Sequence, residues 1–329
     1  MDRRKFLTGA IGLPIVSTLS FPSPLVAQAS WPNRTVTMVV PLAPGGQADL
    51  AARPVAAALE KILGRPVIVE NRTGAGGSLG NASVAKAEPD GYTLLMTISS
   101  FVVLPEADRL YDRKPLYEVD QFVPVARVLN DPNVLAVLST SPWRTLGEFV
   151  DDAKKRPGEI AYGSSGNYGG THVAMEMFAH AAGIKLLNVP YRGGGPALIG
   201  LVSNQVAATA LGRGPLATHV EAGTVRILAS WGATRTPELP TVPTFRELGY
   251  PDVEFNVWAG LFAPKNVPEP IIVRVRAAMR EAMANPQVVS MFEKAGSPAA
   301  YLDAPEFARF VEADSARLVA AVKKIGKVE

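Results

Sequence analysis

The 329-residue chain contains no cysteine. It forms no disulfide, carries no thiolate nucleophile and offers no cysteine-bound metal. Stability must come from burial, and about 300 residues suffice for two domains with real cores. Histidine is also scarce, at three residues. His172, His180 and His219 stand in no matching Asp/Glu cluster, so no metal is expected. No basic run with interleaved aromatics occurs, which excludes nucleic acid as a partner. The formal net charge is only +3. Arg3, Arg4 and Lys5 against Asp2 supply +2 of it, leaving about +1 on the rest, so the pI near 9.0 overstates the affinity for polyanions. No apolar run reaches the roughly 20 residues of a spanning helix.

What is present begins with a targeting segment. Asp2-Arg3-Arg4-Lys5-Phe6-Leu7 sets paired arginines before an apolar run from Gly9 to about Phe21, and Ala27-Gln28-Ala29 offers a small-residue cleavage site. This reads as a twin-arginine signal peptide over 1–29. Pro14, Pro22 and Pro24 break up the run, which argues against a membrane anchor, and no cysteine follows to take a lipid. The expected compartment is the bacterial periplasm, with the mature chain starting near Ser30.

Beyond the signal the rhythm is strand, turn, helix. Strands are predicted at 35–42, 66–70 and 92–98, with helices at 49–63 and from Gly77 to about 87. Pro54 either lies in the first turn of a helix beginning near Arg53 or kinks a longer one. A second series starts after Asp131-Pro132. It has a strand at 134–138, a helix at 145–155 with Thr145 and Glu148 as a capping box, and a strand at 160–162. A helix at 173–182 follows, then strands at 187–189, 206–210 and 225–230. A last strand at 255–262 precedes helices at 270–284 and 303–324, the latter capped by Asp303 with Glu306 in its first turn. Alternation of this kind predicts an α/β fold with parallel sheets covered by helices. No internal repeat is evident.

Two glycine-rich turns carry the functional signal. Pro44-Gly45-Gly46-Gln47-Ala48-Asp49 follows the first strand, and Gly163-Ser164-Ser165-Gly166-Asn167 follows the strand at 160–162, with Thr171 and His172 close behind. Such turns open a helix whose first N–H groups have no partner and whose dipole is positive there, which suits an anion. Glycine adds close approach to the backbone. Two such turns more than a hundred residues apart suggest an anion held between two lobes. The plainer alternatives are tight turns and helix caps: Asp49 can cap its own helix, and Ser164 and Ser165 the next. Ser164 and Ser165 can instead donate hydroxyls to a carboxylate beside the Gly166 N–H. His172 reads as a cap or a support behind the loop before it reads as a contact, and His180, His219 and Trp258 read as structural. The triplet at 193–195 either lines a cleft or permits close packing. The run at 74–77 imitates a dinucleotide fingerprint as a lone, weak match, so no cofactor is expected. A nucleophile turn is not met, because Asn167 stands where Gly-x-Ser-x-Gly needs its last glycine. No enzyme is expected.

Trp31-Pro32-Asn33-Arg34 running into Val39-Val40-Pro41-Leu42-Ala43-Pro44-Gly45-Gly46-Gln47-Ala48-Asp49 resembles the opening of the tripartite tricarboxylate transporter substrate-binding family, the Bug/TctC-type periplasmic receptors. The likeness continues through Val69-Glu70-Asn71-Arg72-Thr73-Gly74-Ala75-Gly76-Gly77, Asp90-Gly91-Tyr92-Thr93-Leu94-Leu95 and Tyr162-Gly163-Ser164-Ser165-Gly166. It includes Val189-Pro190-Tyr191-Arg192-Gly193-Gly194-Gly195-Pro196-Ala197, Leu239-Pro240-Thr241-Val242-Pro243-Thr244, Trp258-Ala259-Gly260 and Ala263-Pro264. The resemblance implies a type II, flytrap-like binding protein with two Rossmann-like lobes and a double crossover. Lobe 1 would take 30–131 plus 252–329, and lobe 2 would take 132–251. It implies a monomer that captures a small carboxylate for a membrane transporter, or reports it to a signalling partner. The ligand loops carried over are Gly45, Gly46, Gln47, Ala48 and Asp49, and Ser164, Ser165, Gly166 and Asn167 with Thr171 and His172. The chain departs from the pattern at Gly200 and at Ala207-Ala208-Thr209-Ala210, where family members often carry acidic residues. Those departures favour a plain carboxylate over an amino acid.

Overall fold

The computed structural model describes residues 31–328, so the twin-arginine segment and its cleavage site lie outside the described residues. Among the described residues the order is β1 (Val36–Val40), α1 (Gln47–Leu63), β2 (Val67–Asn71), α2 (Ser78–Ala85), β3 (Thr93–Ile98) and α3 (Leu104–Leu110). The chain continues with β4 (Phe122–Leu138), α4 (Leu146–Lys155), β5 (Ala161–Ser164), α5 (Gly170–Ala182), β6 (Leu187–Pro190), α6 (Gly194–Val202), β7 (Ala208–Gly212), α7 (Arg213–Glu221) and β8 (Val225–Ser230). It ends with β9 (Asn256–Pro264), α8 (Glu269–Ala284), α9 (Pro286–Lys294), β10 (Ala299–Asp303) and α10 (Ala304–Ile325).

Strand β1 is apolar and buried at every position but Thr37, which is half-buried, and this suits a central parallel strand. It lies between β2 and β3, parallel to both. Strand β5 lies likewise between β6 and β7. These six strands meet the expectation of parallel pairing. Strands β4 and β9 do not: β9 runs antiparallel to β3 and to β4, and β4 runs antiparallel to β7, β8 and β10. Both strands join the two halves of the fold, and β9 follows β8 with no helix between them, so no strand–helix–strand return enforces parallel pairing there.

The short strand predicted at 134–138 needs correcting. Strand β4 passes straight through as one 17-residue element. Its pairing with β9 ends at Pro132 opposite Asn256, and its pairing with β7 begins at Asn133 opposite Gly212. Pro132 therefore falls where the strand changes partner, a place that tolerates a missing ladder donor. One sheet, β2-β1-β3-β9-β4 with β10 beside β4, thus shares β4 with a second built from β4, β7, β5, β6 and β8. Helix α1 is continuous through Pro54, so it does not begin at Arg53.

The caps hold where they were read. Thr145 and Glu148 form a reciprocal capping box on α4, and the Asp303 side chain accepts from Ala304 N–H at the start of α10. Trp258 is core, as expected: it is fully buried, and its indole N–H donates to Asp314 Oδ2 at 2.7 Å, tying β9 to α10.

Candidate functional site

The first turn is built by Asp49. Its carboxylate, 4% exposed, accepts from Gly45 N–H at 3.1 Å, from Asn71 Nδ2 at 3.1 Å and from Arg53 in a two-pronged pair at 2.8 and 2.9 Å. Burial pushes the Asp49 carboxyl up, and these hydrogen bonds outweigh it to hold the group below the usual carboxylate range. Asp49 therefore orients the loop with all its acceptors in use. Gly45 and Gly46 approach the 193–195 turn. A side chain on Gly46 would stand 3.4 Å from the N atoms of Gly194 and Gly195, and one on Gly195 would overlap Pro44 O. Ala43 N–H also donates to Arg192 O at 3.1 Å. Ala48 is buried within α1.

The second turn is held from inside. Ser165 N–H donates to Thr171 Oγ1 at 2.6 Å, and Thr171 Oγ1 donates to Ser165 Oγ at 3.0 Å. The Thr171 proton is thereby committed, which leaves the Ser165 hydroxyl proton free to point elsewhere. Gly166 N–H is 3.4 Å from Ser164 Oγ, and Asn167 Oδ1 accepts from Asn188. His172 is fully buried. Its Nδ1 accepts from Tyr168 N–H at 3.1 Å, and burial lowers its pKa to about 4. It supports the turn as a neutral ring. Gly166 packs against the turn at 74–77, since a side chain there would meet Gly76 Cα at 2.9 Å. Gly76 serves that packing, standing also against Asn167 O.

Gln47, Ser165, Gly170, Thr171, Gly194 and Gly212 converge on one small cavity of about 20 Å³, room for a single water. Its position follows the rule for open α/β sheets, at the carboxyl ends of strands where the order switches. Helices α1, α5 and α6 all begin at this hollow. Their N-caps are glycines (Gly46, Gly169 and Gly193), and no side chain caps any of the three. Their first N–H groups and positive dipole ends therefore face the same place. No Lys or Arg lines the cavity. Several buried polar atoms around it lack a partner: Gln47 Oε1, both amide atoms of Asn133, and Ser99 Oγ beside Gly170. Unpaired buried groups are costly, and these four lie around one hollow.

Of the residues read from the sequence, Gln47, Ser165 and Thr171 reach the cavity wall. Gly45, Gly46, Asp49 and His172 shape it from behind. Gly166 and Asn167 border a second, wider hollow of about 760 Å³ that shares Leu42. Sequence reasoning missed Ser99, Asn133 and Gly212. Gly212-Arg213-Gly214-Pro215 shows the same strand-to-helix signature and was legible; the other two sit in no motif. Behind the cavity runs a buried chain. Gln47 Nε2 donates to Ser297 Oγ at 2.8 Å, Ser297 Oγ donates to Asp131 Oδ2 at 3.4 Å, and Arg213 pairs with Asp131 at 2.7 Å and with Glu238 at 2.7 Å. Burial raises the Asp131 carboxyl against the pull of Arg213. Gly200 also has a structural reason: the Tyr191 ring occupies the space its side chain would need. Among the described residues no cluster of His, Asp and Glu could hold a metal.

Two α/β halves hinged on shared strands, with a polar hollow between them, define a two-lobed binding protein of the periplasmic type. The chain belongs to the tripartite tricarboxylate transporter receptor family, whose sequence model matches residues 51–327. It is 32% identical over 320 residues to BugT of Bordetella pertussis, covering 97% of each protein. A structure from R. palustris solved with adipate is 30% identical, with a TM-score of 0.83, and is aligned over 90% of this chain and 98% of its own. MatC from Rhodopseudomonas palustris, solved with bound malate, is 31% identical with a TM-score of 0.82, over 88% and 99%. No helix among the described residues is long and apolar enough to cross a membrane.

Proposed function

We propose that the protein is an exported receptor that captures a small carboxylate between its lobes and delivers it to a tripartite membrane transporter, with no chemistry of its own. The observation that carries this reading is the convergence of three glycine-capped helix N-termini on a hollow ringed by unpartnered polar atoms. Such a site neutralises an anion with backbone dipoles and has no use for a lysine or arginine. The adipate and malate found in relatives support the same class. A ligand larger than water requires the lobes to stand slightly further apart than here, and closure draws its free energy from contacts better made in the closed form. The lobe boundaries proposed with this reading lie near 131 and 252. The change of partner along β4 at 132/133 and the return at β9 support them.

A panel of mono-, di- and tricarboxylates tested by thermal melting checks the function. A carboxylate at a hundredfold excess over its Kd should stabilise the protein by about 2.7 kcal/mol. Shifts produced only by sugars, cations or peptides would contradict the reading.

A further inference from the structure

Resting on that reading, we propose that the receptor selects carboxylates bearing a hydroxyl group, because the buried relay Asp131–Ser297–Gln47 fixes the Gln47 side-chain oxygen as a hydrogen-bond acceptor at the cavity wall.

The direction of the relay follows from counting protons. Asp131 is 2% exposed and held by the Arg213 guanidinium and by Arg213 N–H, so it stays a carboxylate and only accepts. Ser297, equally buried, has one proton, and Asp131 Oδ2 takes it. Ser297 Oγ must then accept from its other neighbour, which is Gln47 Nε2 at 2.8 Å. Turning the Gln47 amide over would set its oxygen against a serine oxygen that has no proton left to give. Gln47 Oε1 is therefore the atom that remains, buried and without a partner, on the wall of the hollow.

An anion fills the helix N-termini but offers this oxygen only repulsion. A ligand hydroxyl donates to it and removes the cost of an unpaired buried acceptor. Gln47 and Ser297 lie on the same side of the cleft as β1, and Asp131 ends the stretch of β4 paired with β9. An ammonium group could donate as well, but no carboxylate lines the cavity to balance its charge. The selected group is a hydroxyl.

Isothermal titration of the full chain with L-malate and succinate, 2-hydroxyglutarate and glutarate, and L-aspartate tests this. The hydroxy acid of each pair should bind more tightly, on the order of tenfold. In Gln47→Met, which keeps the length and loses the acceptor, the two members of a pair should converge. Ser297→Ala should also shrink the preference by releasing the amide, and Ser297→Thr should restore it. Far-UV circular dichroism and a cooperative thermal transition report that each variant is folded. Equal wild-type affinities within the pairs would overturn the inference alone, as would a preference that survives Gln47→Met or tighter binding of aspartate. Binding of none of the five acids would overturn the carboxylate reading and this inference together.

Discussion

At the scale of single residues, the site depends on atoms that are left out. Gly46 has no side chain because the 193–195 turn lies against it, and valine there would add two methyl groups where 3.4 Å separates a first carbon from backbone. Gly46→Val should keep its far-UV circular dichroism and lose the carboxylate-induced rise in Tm. A full rise in that variant would place the ligand elsewhere. His172 acts in the opposite sense, by filling a buried position with a ring that must stay neutral. Its folded pKa, about 4, lies below the ordinary 6.5, so the unfolded chain binds the proton first. Stability is unaffected above pH 6.5 and falls as pH drops from 6.5 toward 4, by on the order of 3 kcal/mol. Urea midpoints between pH 7.5 and 4.5 should show this loss, and His172→Gln should flatten it. Identical pH slopes in the two proteins would assign the acid sensitivity to other groups.

At the scale of elements, the sequence was clearest where one local pattern decides the outcome. An apolar run ending in Gly-Gly or Ser-Ser-Gly gave both strand-to-helix turns, and Thr145 with Glu148 gave a helix start. Strand β4 was legible only at 134–138, because Pro124 and Pro132 imitate boundaries ahead of that stretch. Strand β10, half-exposed at every position, has no apolar alternation to betray it. Ser99 and Asn133 matter through convergence of distant segments, which no local window records. One buried element-to-element tie is likewise non-local: Trp258 on β9 donates to Asp314 on α10, 56 residues away. Asp314→Ala strands the buried indole N–H and should cost about 1–3 kcal/mol in chemical denaturation. A change within experimental error would mean that packing of Phe307 and Phe310 against Trp258 holds α10 unaided.

For the whole molecule, the two halves share β4 and meet at a hollow too small for any metabolite, so the proposed capture requires the lobes to move. The polar chain from Gln47 through Ser297 and Asp131 to Arg213 and Glu238 links the cavity wall to the point where β4 changes sheets. On the proposed reading the helix ends supply the attraction for an anion, and the lobes supply the exclusion of water that strengthens it. A crystal structure of the protein grown with a dicarboxylate is the most direct measurement. It should show a carboxylate group against the first turns of α1 and α5, touching Ser165 and within reach of Gln47. A ligand seated only in the 760 Å³ hollow beside Asn167, with the small cavity unchanged, would contradict the account.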